Sequence, residues 1–214
     1  MHKKITLLIF SLFLLINTGI AQESNPLDVK KWTVRSIVFT QPYTFERKNP
    51  LPSFFTGIGG KLNYKRISYR ASFEHINYIN ELESRFQKGY IKENTLRLGA
   101  EYKMKYYEII NLNFFLDASI TKLNQEATAF NLDSNLNILE NYDGYGVGAI
   151  FGIGFDYFVT PNFSLSLETR MDLINISGDY SKVDYINKYT VNYVATNNKL
   201  NLNLLGNFSI NYHF

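Results

Sequence analysis

The chain has no cysteine at all, and its 214 residues include only five prolines and one tryptophan. Without cysteine, neither a disulfide framework nor a lipid anchor on a cysteine can form. Long hydrophobic runs are missing too. Lys3 and Lys4 precede an apolar run from Ile5 to Ile16, followed by Asn17 and Thr18 and by the small-residue stretch Gly19-Ile20-Ala21. That run falls short of the roughly 20 residues a membrane-crossing helix needs. It reads as a secretory signal, cleaved after Ala21. Residues 1–21 are therefore set aside as the signal, 22–31 as a short N-terminal segment, and 32–214 as one domain.

A surplus of one charge is absent as well. Without Lys3 and Lys4, twenty basic residues face nineteen acidic ones, so the formal charge of +3 falls to +1. A nearly neutral exported chain gives no reason to expect nucleic acid as a partner.

What the chain has is aromatic side chains, 16% of the total, and alternation. Near the C-terminus Leu200, Leu202, Leu204, Gly206, Phe208, Ile210, Tyr212 and Phe214 hold one phase, while Asn201, Asn203, Leu205, Asn207, Ser209, Asn211 and His213 hold the other. Successive strand residues point to opposite faces, so this is a strand with one greasy and one polar side. The pattern recurs over 32–40, 56–64, 67–74, 96–104, 109–121, 145–157 and 163–173, which makes eight strands. Tight links at Lys65-Arg66, Lys105 to Glu108 and Thr160-Pro161-Asn162 alternate with longer polar stretches at 41–53, 79–91, 123–142 and 175–198. An even strand count with short turns at one end and long loops at the other is the plan of an antiparallel up-and-down transmembrane β-barrel. Closure pairs every backbone N–H and C=O, as a lipid surrounding demands. Aromatics gather at both strand ends, Trp32, Tyr64, Tyr102, Tyr212 and Phe214 by the short turns and Phe55, Tyr90 and Tyr145 by the long loops, where headgroup belts belong.

The stretch Gly144 to Phe158, the following Val159-Thr160-Pro161-Asn162-Phe163-Ser164-Leu165, and the alternating strand ending in Phe214 resemble the outer-membrane β-barrel-domain family. These are small porin-like eight-stranded barrels of Gram-negative bacteria. The resemblance implies an outer-membrane location, lipid and lipopolysaccharide as surroundings, and a terminal strand read by the barrel-assembly machinery. Phe208, Ile210, Tyr212 and Phe214 would carry that signal, and the same residues also suit plain contact with lipid.

The inward phase carries Arg35, Lys61, Arg70, Arg97, Lys103 and Arg170 against Glu74, Glu101, Asp117, Asp156, Glu168 and Asp172. Balanced charges in a lumen just wide enough for side chains are expected to pair and fill it. Glycines at 146, 148, 152 and 154 share that phase and leave room for long neighbours. Their spacing fails the dinucleotide fingerprint, and no helix follows. Asp133-Ser134-Asn135-Leu136-Asn137 starts like a calcium loop, but Ile138 stands where glycine is required, and Gly144 where the bidentate glutamate is. No metal and no cofactor is expected. After the signal only His75 and His213 remain as bases, and neither lies in a serine-hydrolase signature, so a non-enzymatic protein is the reading. Function is expected at the outer end, where Tyr180, Tyr185, Tyr189 and Tyr193 lie among polar residues and Tyr189-Val191-Tyr193 keeps period two. An exposed strand edge there can recruit an extracellular partner. A narrow channel and a lipid A-modifying enzyme are the alternatives, and the barrel is expected to act as a monomer.

Overall fold

The structure, a computed structural model, describes residues 31–40, 53–81, 87–107, 109–130 and 136–214. The expected signal and the segment 22–31 fall almost wholly outside these residues, as does most of the 41–53 stretch.

Eight antiparallel strands close into one ring in chain order. They are β1 (Trp32–Thr40), β2 (Ser53–Tyr64), β3 (Ile67–Glu81), β4 (Gln87–Tyr107), β5 (Ile110–Phe130), β6 (Leu136–Thr160), β7 (Phe163–Asp184) and β8 (Tyr189–His213). Closure is made by β1 against β8, where Val34 faces Tyr212 and Arg35 faces Asn211. Beyond the last paired residues, the backbones of Trp32 and Phe214 exchange two hydrogen bonds of 3.0 Å. A closed ring leaves no strand edge where lipid would meet it, which an open sheet could not achieve.

The predicted tight links at 65–66 and 161–162 are turns, while the link expected from Lys105 to Glu108 is shorter than read, since β4 runs to Tyr107 and β5 begins at Ile110. The expectation of long outer loops needs correction. Residues 123–130 belong to β5 and 136–142 to β6, while 175–184 and 189–198 are strand in β7 and β8. Only Tyr185 to Lys188 turn the chain between β7 and β8. Asp184 accepts hydrogen bonds there from the backbone N–H of Ile186 (3.0 Å) and Asn187 (2.8 Å). Lys188 takes a left-handed φ of 52°, which turns the chain back into β8.

The strands are unequal. β1, β2 and β3 have 9, 12 and 15 residues, whereas β4 to β8 have 21, 21, 25, 22 and 25. At about 3.4 Å per residue, β6 and β8 are far longer than the 9–11 residues a tilted strand needs to cross a bilayer. The short turns align all strands at one end, so among the described residues the surplus of β4 to β8 projects at the other, called the crown below.

A second correction concerns β8. Its register against β7 shifts between Glu168 and Arg170, which face Asn207 and Asn203. Gly206, read as lipid-facing, lies buried in this bulge, where an added Cβ would sit 2.9 Å from Cγ of Arg170. The shift is by two residues, so Leu200 and Leu202 above it and Tyr212 and Phe214 below it keep the same outward phase.

Candidate functional site

Inside the ring, the side chains fall into three tiers. At the short-turn end, His213 bridges two strands, its Nδ1 2.9 Å from Thr33 Oγ1 and its Nε2 2.9 Å from Ser164 Oγ, with the ring stacked on Phe158. Asn63, Ser68, Asn111, Asn113 and Ser166 complete a polar floor. Asn113 and Ser166 both donate to the Asp156 carboxylate.

Above it lies the charged tier. Arg97 donates to Glu74 at 2.5 Å and to Asp117 at 2.9 Å. Arg170 reaches the other oxygen of Glu74 at 2.7 Å and lies 3.2 Å from Asp172. Arg35 and Arg70 share Glu168, at 2.6 and 3.0 Å. Lys61 holds Glu101 at 2.8 Å and lies 3.9 Å from Asp156, while Lys103 donates to Asn63 at 2.7 Å. All twelve inward charges named from the sequence thus meet in one network. All but Lys103 are buried. Ion pairs join opposite strands: Lys61 on β2 with Asp156 on β6, and Glu74 on β3 with Arg170 on β7.

The sequence reading missed several members. Glu93 on β4 and Lys199 on β8 form another diametric pair at 2.6 Å, which adds one charge of each sign to the network. Both lie on the inward phase once the strands are continued past the assumed loops. Phe115 is a second omission. It stands on the inward phase of β5, with the Arg70 guanidinium 4.3 Å above its ring. Gly152 exists to admit it, since an added Cβ would lie 2.8 Å from the Phe115 ring. Gly146 and Gly148 make room for Ile174 and Ile176 rather than for charged side chains, and only Gly154 faces the stem of Glu168.

Those isoleucines belong to the third tier. Ile91, Leu123, Ile174 and Ile176 pack together with Tyr142 against them, forming an apolar cap over the charges. Tyr142 also donates to the Ile176 carbonyl at 3.1 Å. Higher still the inner wall stays aromatic. Tyr180 lies opposite Tyr193 with ring centroids 4.8 Å apart, and Tyr189 and Val191 continue the row. Tyr180 is half-buried, whereas Tyr189 and Tyr193 are exposed on this inner face and Tyr185 is exposed in the turn.

The outer surface has the opposite pattern. Val34, Ile58, Phe73, Leu98, Leu116, Ile120, Val147, Phe155 and Leu173 are all exposed. Phe208, Ile210, Tyr212 and Phe214 share that outward face, the last two fully in contact with the surroundings. Such a continuous apolar exterior around a single ring cannot rest in water. Wrapped round a polar, ion-paired interior, it matches the period-two design of barrels immersed in lipid. The chain forms an outer-membrane-type β-barrel.

No family profile and no curated protein matches the sequence. Among solved structures, Ail, the attachment invasion locus protein of Yersinia pestis, is similar at 15% identity and a TM-score of 0.43, over 87% of this chain and 100% of that one. Outer membrane protein W of E. coli is similar at 13% identity and a TM-score of 0.42, over 87% of this chain and 98% of that one. The membrane assignment rests on the wall of this barrel and on neither likeness.

The contact of Ser164 with His213 calls for a chemical test, because a serine beside an imidazole is the start of a hydrolase site. In the serine triad a carboxylate on the far nitrogen of the imidazole holds the imidazolium formed when the serine loses its proton. Here that nitrogen meets the Thr33 hydroxyl, and Ser164 is fully buried. The trio is part of the buried polar floor.

Proposed function

We propose that the protein is an integral outer-membrane barrel without enzymatic activity, whose working surface is the crown. A single observation carries this reading. Among the described residues β8 pairs with β1 only from Asn207 onward, so Tyr189 to Asn203 have β7 on one side and no strand on the other. Between Lys188 and Lys199 this edge holds no charged residue and no proline, the usual devices that protect an edge from pairing. Its inner face offers Tyr189, Val191 and Tyr193. An extended segment of an extracellular protein can add to the edge by backbone hydrogen bonds and seat alternate side chains against these rings. The surface element in this reading is a projecting sheet, in line with the period two that Tyr189-Val191-Tyr193 keeps in the sequence.

Deleting 178–195 removes the paired rungs from Gly178 opposite Ala195 to the tip and leaves the lipid-facing wall in place. Cells carrying the shortened barrel are expected to adhere less to neighbouring cells or host matrix, and unchanged adhesion would overturn the reading. The ion pairs between opposite strands speak against a narrow channel, and planar-bilayer conductance of the refolded protein tests this. Stable openings altered by Arg97→Ala or Glu168→Ala would favour the channel. We also read Phe208, Ile210, Tyr212 and Phe214 as the assembly signal, and the closed ring as a monomer in the membrane.

A further inference from the structure

Four side chains make an unbroken row across the outside of the barrel. His75 on β3 stands opposite Asn94 on β4, Asn94 opposite Lys122 on β5, and Lys122 opposite Tyr145 on β6. The row one step nearer the short turns is Phe73, Leu96, Ile120 and Val147, all exposed. The row one step further out is Asn77, Lys92, Asn124 and Asp143. Over a rise of about 7 Å per two-residue step, the surface changes from hydrocarbon to imidazole, amide and ammonium. That change marks where acyl chains end and headgroups begin.

The row is organised. His75 Nδ1 and the Asn94 side-chain oxygen lie 2.7 Å apart, which ties the imidazole to the neighbouring strand. Lys122 holds its ammonium 4.9 Å from the centre of the Tyr145 ring, at the membrane edge rather than extended into water. Lys92 is its diagonal neighbour on the same face, and such neighbours stand roughly 7–8 Å apart. The anions nearby are Asp143, 3.7 Å from Lys122 Nζ, and Glu126 on the same face of β5. The Lys122–Asp143 pair is exposed on both sides, and pairs of that kind are too weak to prevent exchange for a better anion.

We propose that this patch binds the phosphate headgroup of an outer-leaflet lipid of lipid A type. Lys92 and Lys122 meet the phosphate beside the His75–Asn94 pair, and the acyl chains run down over Phe73, Leu96, Ile120 and Val147. Charge complementarity selects the headgroup, and the apolar row beneath requires that a chain be attached to it. The proposal rests on the outer-membrane reading and assigns that surrounding a specific seat.

The test uses the full barrel in mild detergent, with lipid retention counted by native mass spectrometry. Bis-phosphorylated lipid A is expected to be retained about tenfold better than its dephosphorylated counterpart, the effect of one charge-assisted contact pair. The double variant Lys92→Gln/Lys122→Gln is expected to lose that preference, whereas Lys65→Gln/Arg66→Gln at the opposite rim keeps it. Equal retention of the two lipids, or an unchanged preference in the first variant, would overturn the proposal. So would displacement by millimolar inorganic phosphate as complete as by the lipid, since that would mark a free-anion site. Heat-modifiable migration and insertion into vesicles are followed in parallel. Their loss in the wild-type protein would sink the outer-membrane reading itself, a failure distinct from loss of the phosphate preference.

Discussion

The lower barrel and the crown are made of the same strands, yet their two faces carry opposite chemistry. Below Leu173 and Leu200, which face each other on β7 and β8, apolar side chains point outward and charges inward. Above them the outside of β7 is Asn175, Ser177 and Asp179, while the inside is Ile174, Ile176 and Tyr180. On β8 Leu200 and Leu202 face out in the lower part, and Val191 and Tyr193 face in above. The solvent sets the difference. Lipid rewards an apolar exterior and forces polar groups to satisfy one another within, while water rewards the reverse. The plane where the pattern inverts is therefore a reading of the membrane boundary taken from side chains alone.

The strongest way to break the comparison is to unbalance the lower interior. Arg97 binds Glu74 and Asp117 and stacks toward Phe115, all out of reach of water. Arg97→Ala leaves Glu74 with Arg170 alone and Asp117 with Arg70 alone, so the buried network carries one uncompensated negative charge. It is expected to cost about 3–5 kcal/mol in equilibrium unfolding from lipid vesicles, the range for removing one member of a buried pair. A loss below about 1 kcal/mol would mean that water enters the lumen and screens the network, and would reopen the channel reading.

The outer faces can be compared with one charge placed at two heights. Leu116 lies in the apolar belt at 60% exposure and Val194 on the crown at 71%. By exposure alone, arginine should be tolerated equally at both. If their surroundings differ as the inversion says, Leu116→Arg costs about 2–4 kcal/mol and Val194→Arg close to nothing. Similar costs at the two positions would move the boundary, and with it the seat inferred for the lipid phosphate.

The same inversion explains what could be read from the sequence. The eight strands, their order, the short turns and the twelve inward charges follow from period two alone, because each lower strand keeps its apolar residues on one phase. Most of the crown reads as polar stretches between strands, with period two kept only at Tyr189-Val191-Tyr193, because the phase changes within continuous strands. Leu173 and Ile174 are adjacent and face opposite sides, which ends the alternation although the backbone ladder runs on to Asp184. A reader who counts apolar residues on one phase meets Asn175, Ser177 and Asp179 there and infers a loop. Glu93 and Lys199 were lost with the strand ends that carry them. The bulge that buries Gly206 shows in the sequence only as Leu205 on the polar phase beside a glycine on the apolar one, since a shift of two residues preserves the parity of the positions on either side.

A smaller effect separates the two regions dynamically. Ile176 is 1% exposed and packs in the apolar cap with Ile91, Leu123 and Ile174. Ile176→Ala is expected to cost about 2 kcal/mol, at the low end for a buried isoleucine because the crown wall can close inward. The loss should be local. Amide exchange should quicken over 174–198, while the ladder of Leu112 to Ile120 stays protected. Faster exchange throughout would show that crown and cylinder unfold as one unit.

The smallest expected effect lies at the crown's tip, and its sign can be stated in advance. The Asp184 carboxylate accepts from the Asn187 backbone and side chain and from the Ile186 backbone, and these bonds hold its pKa below the ordinary carboxylate value. A group whose pKa is lowered by folding stabilises the fold above its unfolded value and loses that contribution as pH falls through the folded one. The turn should therefore be firm at neutral pH and loosen only in acid, visible as faster exchange of the Ile186 and Asn187 amides. In Asp184→Ala the same amides should exchange fast at neutral pH, with no further quickening specific to the tip as acid is added. The lower barrel has no part in this equilibrium, so a matching acid response in the Leu112 to Ile120 ladder would tie the tip to the membrane cylinder and contradict the independence of the two regions.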